Sequence, residues 1–206
     1  MMKTWIRATA FAAGFVGAAA AFAQAVVGQP APAFSAKDAA GKPVSLADYK
    51  GKHVVLEWVN PGCPYVQKHY NSGNMPATQK AAVAKGVAWL TISSTAKDAS
   101  DYRPPAELAS WIRGKQGAPT ATVMDEDGRI GRAYGARVTP HMYIVDPQGK
   151  LLYAGAIDSK ASANPADIAT ATNYVTQGIG EVTSGKPLSQ ATTRAYGCSI
   201  KYSSAG

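Results

Sequence analysis

The residues in this sequence best suited to chemistry are its two cysteines, Cys63 and Cys198. Cys63 lies in NPGCPYVQKHY, residues 60–70, after the apolar run VVLEWV and directly before Pro64. Proline suits the first position of a helix, where its missing amide hydrogen costs nothing, so Cys63 reads as the junction between a buried strand and a helix. A thiol placed there faces unpaired backbone amides and the positive end of the helix dipole, which favour the thiolate. It also sits near the surface at the carboxyl end of a strand, where α/β folds gather their sites. The competing reading is a structural cysteine, because with only two thiols one intramolecular pairing exists. A bridge closing so long a loop would constrain the unfolded chain by roughly 4 to 5 kcal/mol, a sufficient reason for a static staple.

A second feature stands far along the chain, in VTPHMYIVD, residues 138–146. Pro140 cannot donate to a β-ladder, and a proline just before an apolar strand marks a bend or a cis bond. The other histidines carry less. His53 opens a strand and reads as structural, and His69, nearly two helical turns after Cys63, reads as a surface or packing residue. Lys68 is placed to lower a thiol pKa but reads as solvated. DEDG, residues 125–128, is too short for a calcium loop and reads as a turn. GKP occurs twice without the glycine spacing of a phosphate loop.

These residues need elements to hold them. Val54 to Val59 and VAWLTISS, residues 87–94, are β-branched apolar runs of the kind buried on both faces of a parallel sheet. A helix is expected from Pro64, interrupted near NSGN and resumed to Gly86, with another over residues 104–117. ATVMD and MYIVD read as strands, the second turning at PQG into LLYAGAI, and Ser45 and Asp48 are spaced to start a short helical turn. A closing helix is expected over about residues 165–182, and the remainder, 183–206, reads as a polar tail. The pattern is α/β with a mixed central sheet flanked by helices.

The chain has 206 residues, enough for one domain with a real core, and a formal net charge of +8. Its first residues resemble a secretory leader: Lys3 and Arg7, an acid-free apolar run, then the small-residue pattern AFA ending at Ala23. Residues 1–23 are therefore expected to be a cleaved signal peptide, 24–182 the domain, and 183–206 the tail bearing Cys198. Export, to a periplasm or beyond, is a setting in which thiol pairs oxidise. No later run is long enough to cross a bilayer, so no membrane association is expected after cleavage. Basic residues are scattered rather than clustered, which argues against nucleic acid.

VVLEWVNPGCPYV followed by VTPHMYIVDPQGKLLYAGAID resembles the thioredoxin superfamily. VGQPAPAFSAKDAAGKPVSLADYKGK resembles the opening of its redoxin branch, which holds peroxiredoxins and TlpA-like thiol oxidoreductases, and NPGCPYVQKHY with YGCSIKY resembles bacterial peroxiredoxin-like redoxins. The resemblance covers nearly all of the chain beyond the leader. It implies a thioredoxin-like fold with an amino-terminal redoxin extension, Cys63 as nucleophile, and Thr139 and a cis Pro140 shaping a substrate groove beside the sulfur. It also implies that the backbone of His141 lies near Cys63, where its imidazole could tune the thiolate or join Cys63 at a copper ion; one thiol and one imidazole are too few for a closed zinc site. The departures are specific. Val66 stands where CxxC has its second cysteine, Leu56 and Asn60 stand where PxxxTxxC has proline and threonine, and Thr139 and Pro140 occupy the usual place of the peroxiredoxin arginine. Asn60 offers an amide to the groove instead of a hydroxyl. Cys198, on a flexible tail, is the thiol available to resolve an oxidised Cys63. The expected function is thus a thiol-dependent oxidoreductase acting on thiols, disulfides or peroxides without a cofactor. The alternative is a non-catalytic metal-binding or partner-binding protein with a structural Cys63–Cys198 bridge.

Overall fold

In the computed structural model, residues 24–203 are described; the expected leader, residues 1–23, lies outside them. The apolar runs become strands and the sheet they form is mixed. β1 (Ser35–Asp38) and β2 (Pro43–Ser45) make a hairpin at one edge, followed by a 3-10 turn over Leu46–Tyr49, whose start is fixed by the Ser45 amide donating to the Asp48 carboxylate at 2.7 Å. β3 (Val54–Trp58) leads into α1 (Pro64–Asn71) and α2 (Asn74–Ala84), then come β4 (Ala88–Ser93) and α3 (Pro105–Gly114). β5 (Ala121–Met124), α4 (Arg129–Tyr134), β6 (Val138–Thr139), β7 (His141–Val145) and β8 (Leu151–Gly155) follow, and α5 (Tyr174–Thr183) and β9 (Cys198–Ser199) complete the order. Seven strands line up as β2-β1-β5-β4-β3-β7-β8, with β3, β4 and β5 mutually parallel and the outer pairs antiparallel.

β3 lies inside the sheet between β4 and β7, buried at every residue, and its alternation builds both cores. Val55 and Val59 face a layer formed by Val66 and Tyr70 of α1, Met75 and Ala82 of α2, Leu108 and Ile112 of α3, and Val175 and Ile179 of α5. Val54, Leu56 and Trp58 face the other layer, with Tyr134 of α4 and Tyr143 of β7. Complete burial of a side chain such as Leu56 or Ile144 contributes about 1.5–3 kcal/mol each.

One residue breaks the apolar pattern. Glu57 is fully buried, and its carboxylate accepts from Tyr70 Oη and Gln79 Nε2 at 2.9 Å each, Trp89 Nε1 at 2.7 Å and Thr91 Oγ1 at 3.1 Å. Burial pushes its pKa up, and the four donors pull it back. The carboxylate thereby ties β3, β4, α1 and α2 together.

Two expectations need correction and a third is extended. The closing helix is split: residues 165–170 form a 3-10 turn, and α5 starts afresh behind Asn173, whose side chain accepts the Thr176 amide at 2.9 Å. DEDG is a turn that also starts a helix, because Asp125 accepts the Ile130 and Gly131 amides at 3.0 and 2.8 Å and so nucleates α4. The segment after α5 is an ordered strap. Thr193 Oγ1 accepts the Ala156 amide at 2.9 Å, the Ile200 amide donates to Arg137 O at 3.0 Å, the Lys201 carbonyl accepts from Ala96 N at 2.8 Å, and Tyr202 Oη donates to Ala136 O at 2.7 Å. Specific hydrogen bonds, rather than a periodic apolar face, hold it, and no hydrophobic period therefore marks it in the sequence.

Candidate active site

β3 ends in the loop Asn60-Pro61-Gly62, and Cys63 caps α1 with extended backbone while Pro64 takes the first helical position. Asn60 shapes that loop. Its Oδ1 accepts the Gly62 amide at 2.7 Å, and its Nδ2 donates to Asp101 Oδ2 at 2.8 Å and Thr95 Oγ1 at 3.3 Å. The Asn60 side chain is therefore committed to protein partners.

Across from Cys63, the Thr139–Pro140 peptide is cis, and the Cys63 thiol donates to the Thr139 carbonyl at 3.0 Å. Thr139 in turn pairs with Cys198 in the small β6–β9 ladder, with Val138 opposite Ser199. The two cysteines, distant in sequence, are thus neighbours on either side of one carbonyl. This register brings the Cys198 side chain against the Cys63 sulfur and the first turn of α1. Burial first, then the hydrogen bond to Cys63 and its negative charge, push the Cys198 pKa up to about 12; the Tyr65 amide and Lys201 pull the other way. The raised pKa keeps the Cys198 thiol protonated beside Cys63. The thiols are free rather than bonded.

The strap also changes the accessibility expected of Cys63. It lies at the carboxyl end of β3 as anticipated but is only 2% exposed, whereas Cys198 is half-buried. Gly197 makes this closeness feasible. Its φ is +144°, and a Cβ added there would stand 2.6 Å from the Thr139 carbonyl carbon and 3.2 Å from Pro140 N. Only glycine lets the strap lie flat on the Thr139–Pro140 segment.

Cys63, Cys198, Thr139 and Pro140 come together; His141 does not join them. Side chains alternate along β7, which turns His141 toward Tyr143, with ring centroids 4.6 Å apart, in the layer opposite the one containing Cys63. Its Nδ1 faces Tyr143 Oη at 3.3 Å and the Arg137 amide at 3.4 Å, and burial, then the Arg137 charge, lower its pKa to about 4. Among the described residues no group of three His, Cys, Asp or Glu side chains is placed to hold a metal.

Lys68, expected to be solvated, is buried at 3% exposure, and His69, read as a surface or packing residue, is packed at 0%. Lys68 Nζ reaches Asp158 Oδ2 at 3.4 Å and Lys160 O at 3.1 Å, and His69 Nε2 meets Tyr196 Oη at 3.2 Å. The strap itself hides these side chains, and no local pattern in α1 announces it. A cavity of about 740 Å³ lies elsewhere, along Phe34, Lys97, Glu126 and Arg129, and none of the site residues lines it.

A thiol at the carboxyl end of β3, facing a cis-proline and a second thiol, sits on a thioredoxin-like sheet, and comparison with known proteins places the chain in the redoxin branch of that superfamily, a class of thiol oxidoreductases. The AhpC/TSA family model matches residues 27–154, and the chain belongs to that family. Among curated proteins it is similar to peroxiredoxin Q, chloroplastic, of Sedum lineare, 28% identical over 149 residues covering 64% of this chain and 80% of the relative. It is also similar to thiol-disulfide oxidoreductase ResA of Bacillus subtilis (strain 168), 24% identical over 132 residues covering 61% of this chain and 64% of the relative. A solved structure of an uncharacterized conserved protein from Geobacillus kaustophilus shares the fold, with TM-score 0.72 at 23% identity over 88% of this chain and 94% of that one. The family model ends at residue 154, so it does not reach Cys198 or the strap.

Proposed function

We propose that this protein is an exported two-thiol redox enzyme in which Cys63 attacks a small oxidant and Cys198 resolves the product into a Cys63–Cys198 disulfide. The observation that carries the reading is the β6–β9 pairing, which sets Cys198 against Thr139, the residue whose carbonyl accepts the Cys63 thiol at 3.0 Å. With a low-molecular-weight disulfide, Cys63 thiolate bonds to one sulfur and expels the other as a thiolate. Cys198 then bonds to the Cys63 sulfur, gives up its proton and expels the second half as a thiol. With a hydroperoxide, Cys63 takes the distal oxygen to become a sulfenic acid as an alcohol or water leaves; Cys198 displaces that oxygen as water. Either way the protein loses two electrons, to be restored by a dithiol reductant.

Substrate size follows from the strap. With β9 paired to β6, the Thr139 edge has no room for an extended polypeptide, and Cys63 is covered. Small oxidants are favoured over protein disulfides for as long as the strap is docked. Residues 56–63 lack the proline and threonine of PxxxTxxC, so disulfide exchange is the better-supported of the two chemistries. Export rests on the leader-like residues 1–23, and among the described residues no helix is long and apolar enough to cross a membrane.

The test is turnover of a small disulfide and of a hydroperoxide under a dithiol reductant by the wild type, Cys63→Ser and Cys198→Ser. Loss of both activities in Cys63→Ser, with accumulation of a Cys63 adduct in Cys198→Ser, is expected. Unchanged rates in Cys63→Ser would remove the nucleophile from the account. A Cys63–Cys198 bridge that forms but resists dithiol reduction would make it a staple.

A further inference from the structure

The strap carries Cys198, but the sulfur's own contacts do not explain how its position is held. Two residues earlier, Tyr196 enters a buried cluster of polar side chains. Its hydroxyl donates to Asp158 Oδ1, His69 Nε2 stands 3.2 Å from the Tyr196 hydroxyl oxygen, and the Tyr196 ring packs edge-on against Tyr65 at 5.7 Å. Asn74 Nδ2 donates to His69 Nδ1 at 2.8 Å, which leaves the ring proton on Nε2, directed at Tyr196. Asp158 is held from the other side by Lys68 Nζ at 3.4 Å and by the Lys160 amide at 2.9 Å. The cluster therefore runs from α1 through the segment after β8 to the strap, with each polar group of Asp158 and His69 occupied.

A buried Lys–Asp pair is a weak source of stability, because removing both charges from water costs about as much as their attraction returns. Such a pair fixes a geometry instead. Here the one group on the strap to which it presents an acceptor is Tyr196. Along an extended chain Cys198 lies only about 7 Å further on, too short a reach for the sulfur to wander once the phenol is seated.

We propose that Tyr196 is a positioning residue: its hydroxyl, seated between Asp158 and His69, latches the strap so that Cys198 stands in place to close on Cys63. The latch does not touch the reacting sulfurs. It acts on the second bond-forming step alone, and it rests on the two-thiol reading above.

The experiment uses the reduced full chain and excess 4,4′-dithiodipyridine, followed by thiopyridone absorbance in stopped flow. Cys63 thiolate bonds to one pyridyl sulfur and releases the first thiopyridone; Cys198 then bonds to the Cys63 sulfur, loses its proton and releases the second. The first phase reads access to Cys63 and the second reads closure by Cys198. In Tyr196→Phe, which keeps the ring against Tyr65 and removes one hydrogen bond to a charged acceptor, the second phase should slow by about tenfold or more. The first phase should hold its rate or quicken. The Lys68→Met/Asp158→Asn double variant, which leaves no unpaired buried charge, should slow the second phase in the same sense. A biphasic wild type whose second phase is unchanged in Tyr196→Phe overturns the latch, and so does equal slowing of both phases. A wild type in which Cys63 reacts but the disulfide never closes contradicts instead the two-thiol reading beneath it.

Discussion

Replacing Gly197 by alanine should uncouple the two thiols without altering either one. At φ +144° an alanine occupies backbone space that L-residues rarely adopt, at a cost of order 1–3 kcal/mol. The methyl group adds a steric conflict: it would lie 2.6 Å from the Thr139 carbonyl carbon and closer still to its oxygen. Neither atom can yield easily, because that carbonyl accepts the Cys63 thiol and adjoins Pro140 in the sheet. The strap must therefore lift, and the β6–β9 pairing goes with it. If docking loses about 3 kcal/mol, the effective concentration of Cys198 at Cys63 falls about a hundredfold, since each 1.4 kcal/mol is a factor of ten. Equilibration with reduced and oxidised glutathione, with the Cys63–Cys198 disulfide quantified by alkylation and mass spectrometry, measures that concentration. An effective concentration within about twofold of wild type, in a variant with native circular dichroism, would refute the claim that strap docking sets the pair.

Three further outcomes follow from the geometry. Glu57→Ala leaves four buried donors facing a cavity and should lower stability by about 3–5 kcal/mol in urea denaturation, whereas Glu57→Gln, which keeps an acceptor, should cost less. His69, facing Asp158, Lys68, Tyr196 and Asn74, has its pKa lowered to about 4 by burial against 6.5 when unfolded. The unfolded chain therefore binds the proton first, and stability fully present above pH 6.5 is lost as pH falls toward 4, by roughly 3 kcal/mol at full extent. Asp125, with its pKa raised to about 6, acts oppositely, so the check is the wild type minus His69→Gln difference between neutral pH and pH 4. Finally, Cys198→Ser should retain reaction at Cys63 but hold it as a one-to-one adduct, visible as an intact-mass increase after one equivalent of a small disulfide.

Much of the fold was legible because its signals are local. Val54–Trp58 and Ala88–Ser93 are apolar runs that can only be buried strands, and Pro64 and Pro105 mark helix starts by removing a donor that helices do not need there. That the Thr139–Pro140 segment lies beside Cys63 was legible only through the resemblance to the thioredoxin superfamily. Long-range chemistry was not legible. Glu57 sits in an apolar run, and only the fold brings Tyr70, Gln79, Trp89 and Thr91 to it. Lys68 looks like a solvent residue until the strap covers it, and His141 follows Pro140 in sequence while the pleat turns it to the opposite face. In YGC, the glycine next to the second cysteine was the available sign that the strap presses against backbone, and its reason is the Thr139 carbonyl beneath it.

The central claim, that Cys63 and Cys198 are two halves of one redox site, is tested most directly by intact-mass and peptide mapping of reduced full-length protein after one equivalent of a small disulfide oxidant. The account predicts loss of two hydrogens, a single intramolecular Cys63–Cys198 peptide pair, and full reversal by a dithiol. A stable adduct on Cys63 with Cys198 still free, or a bridge between separate chains, would contradict it.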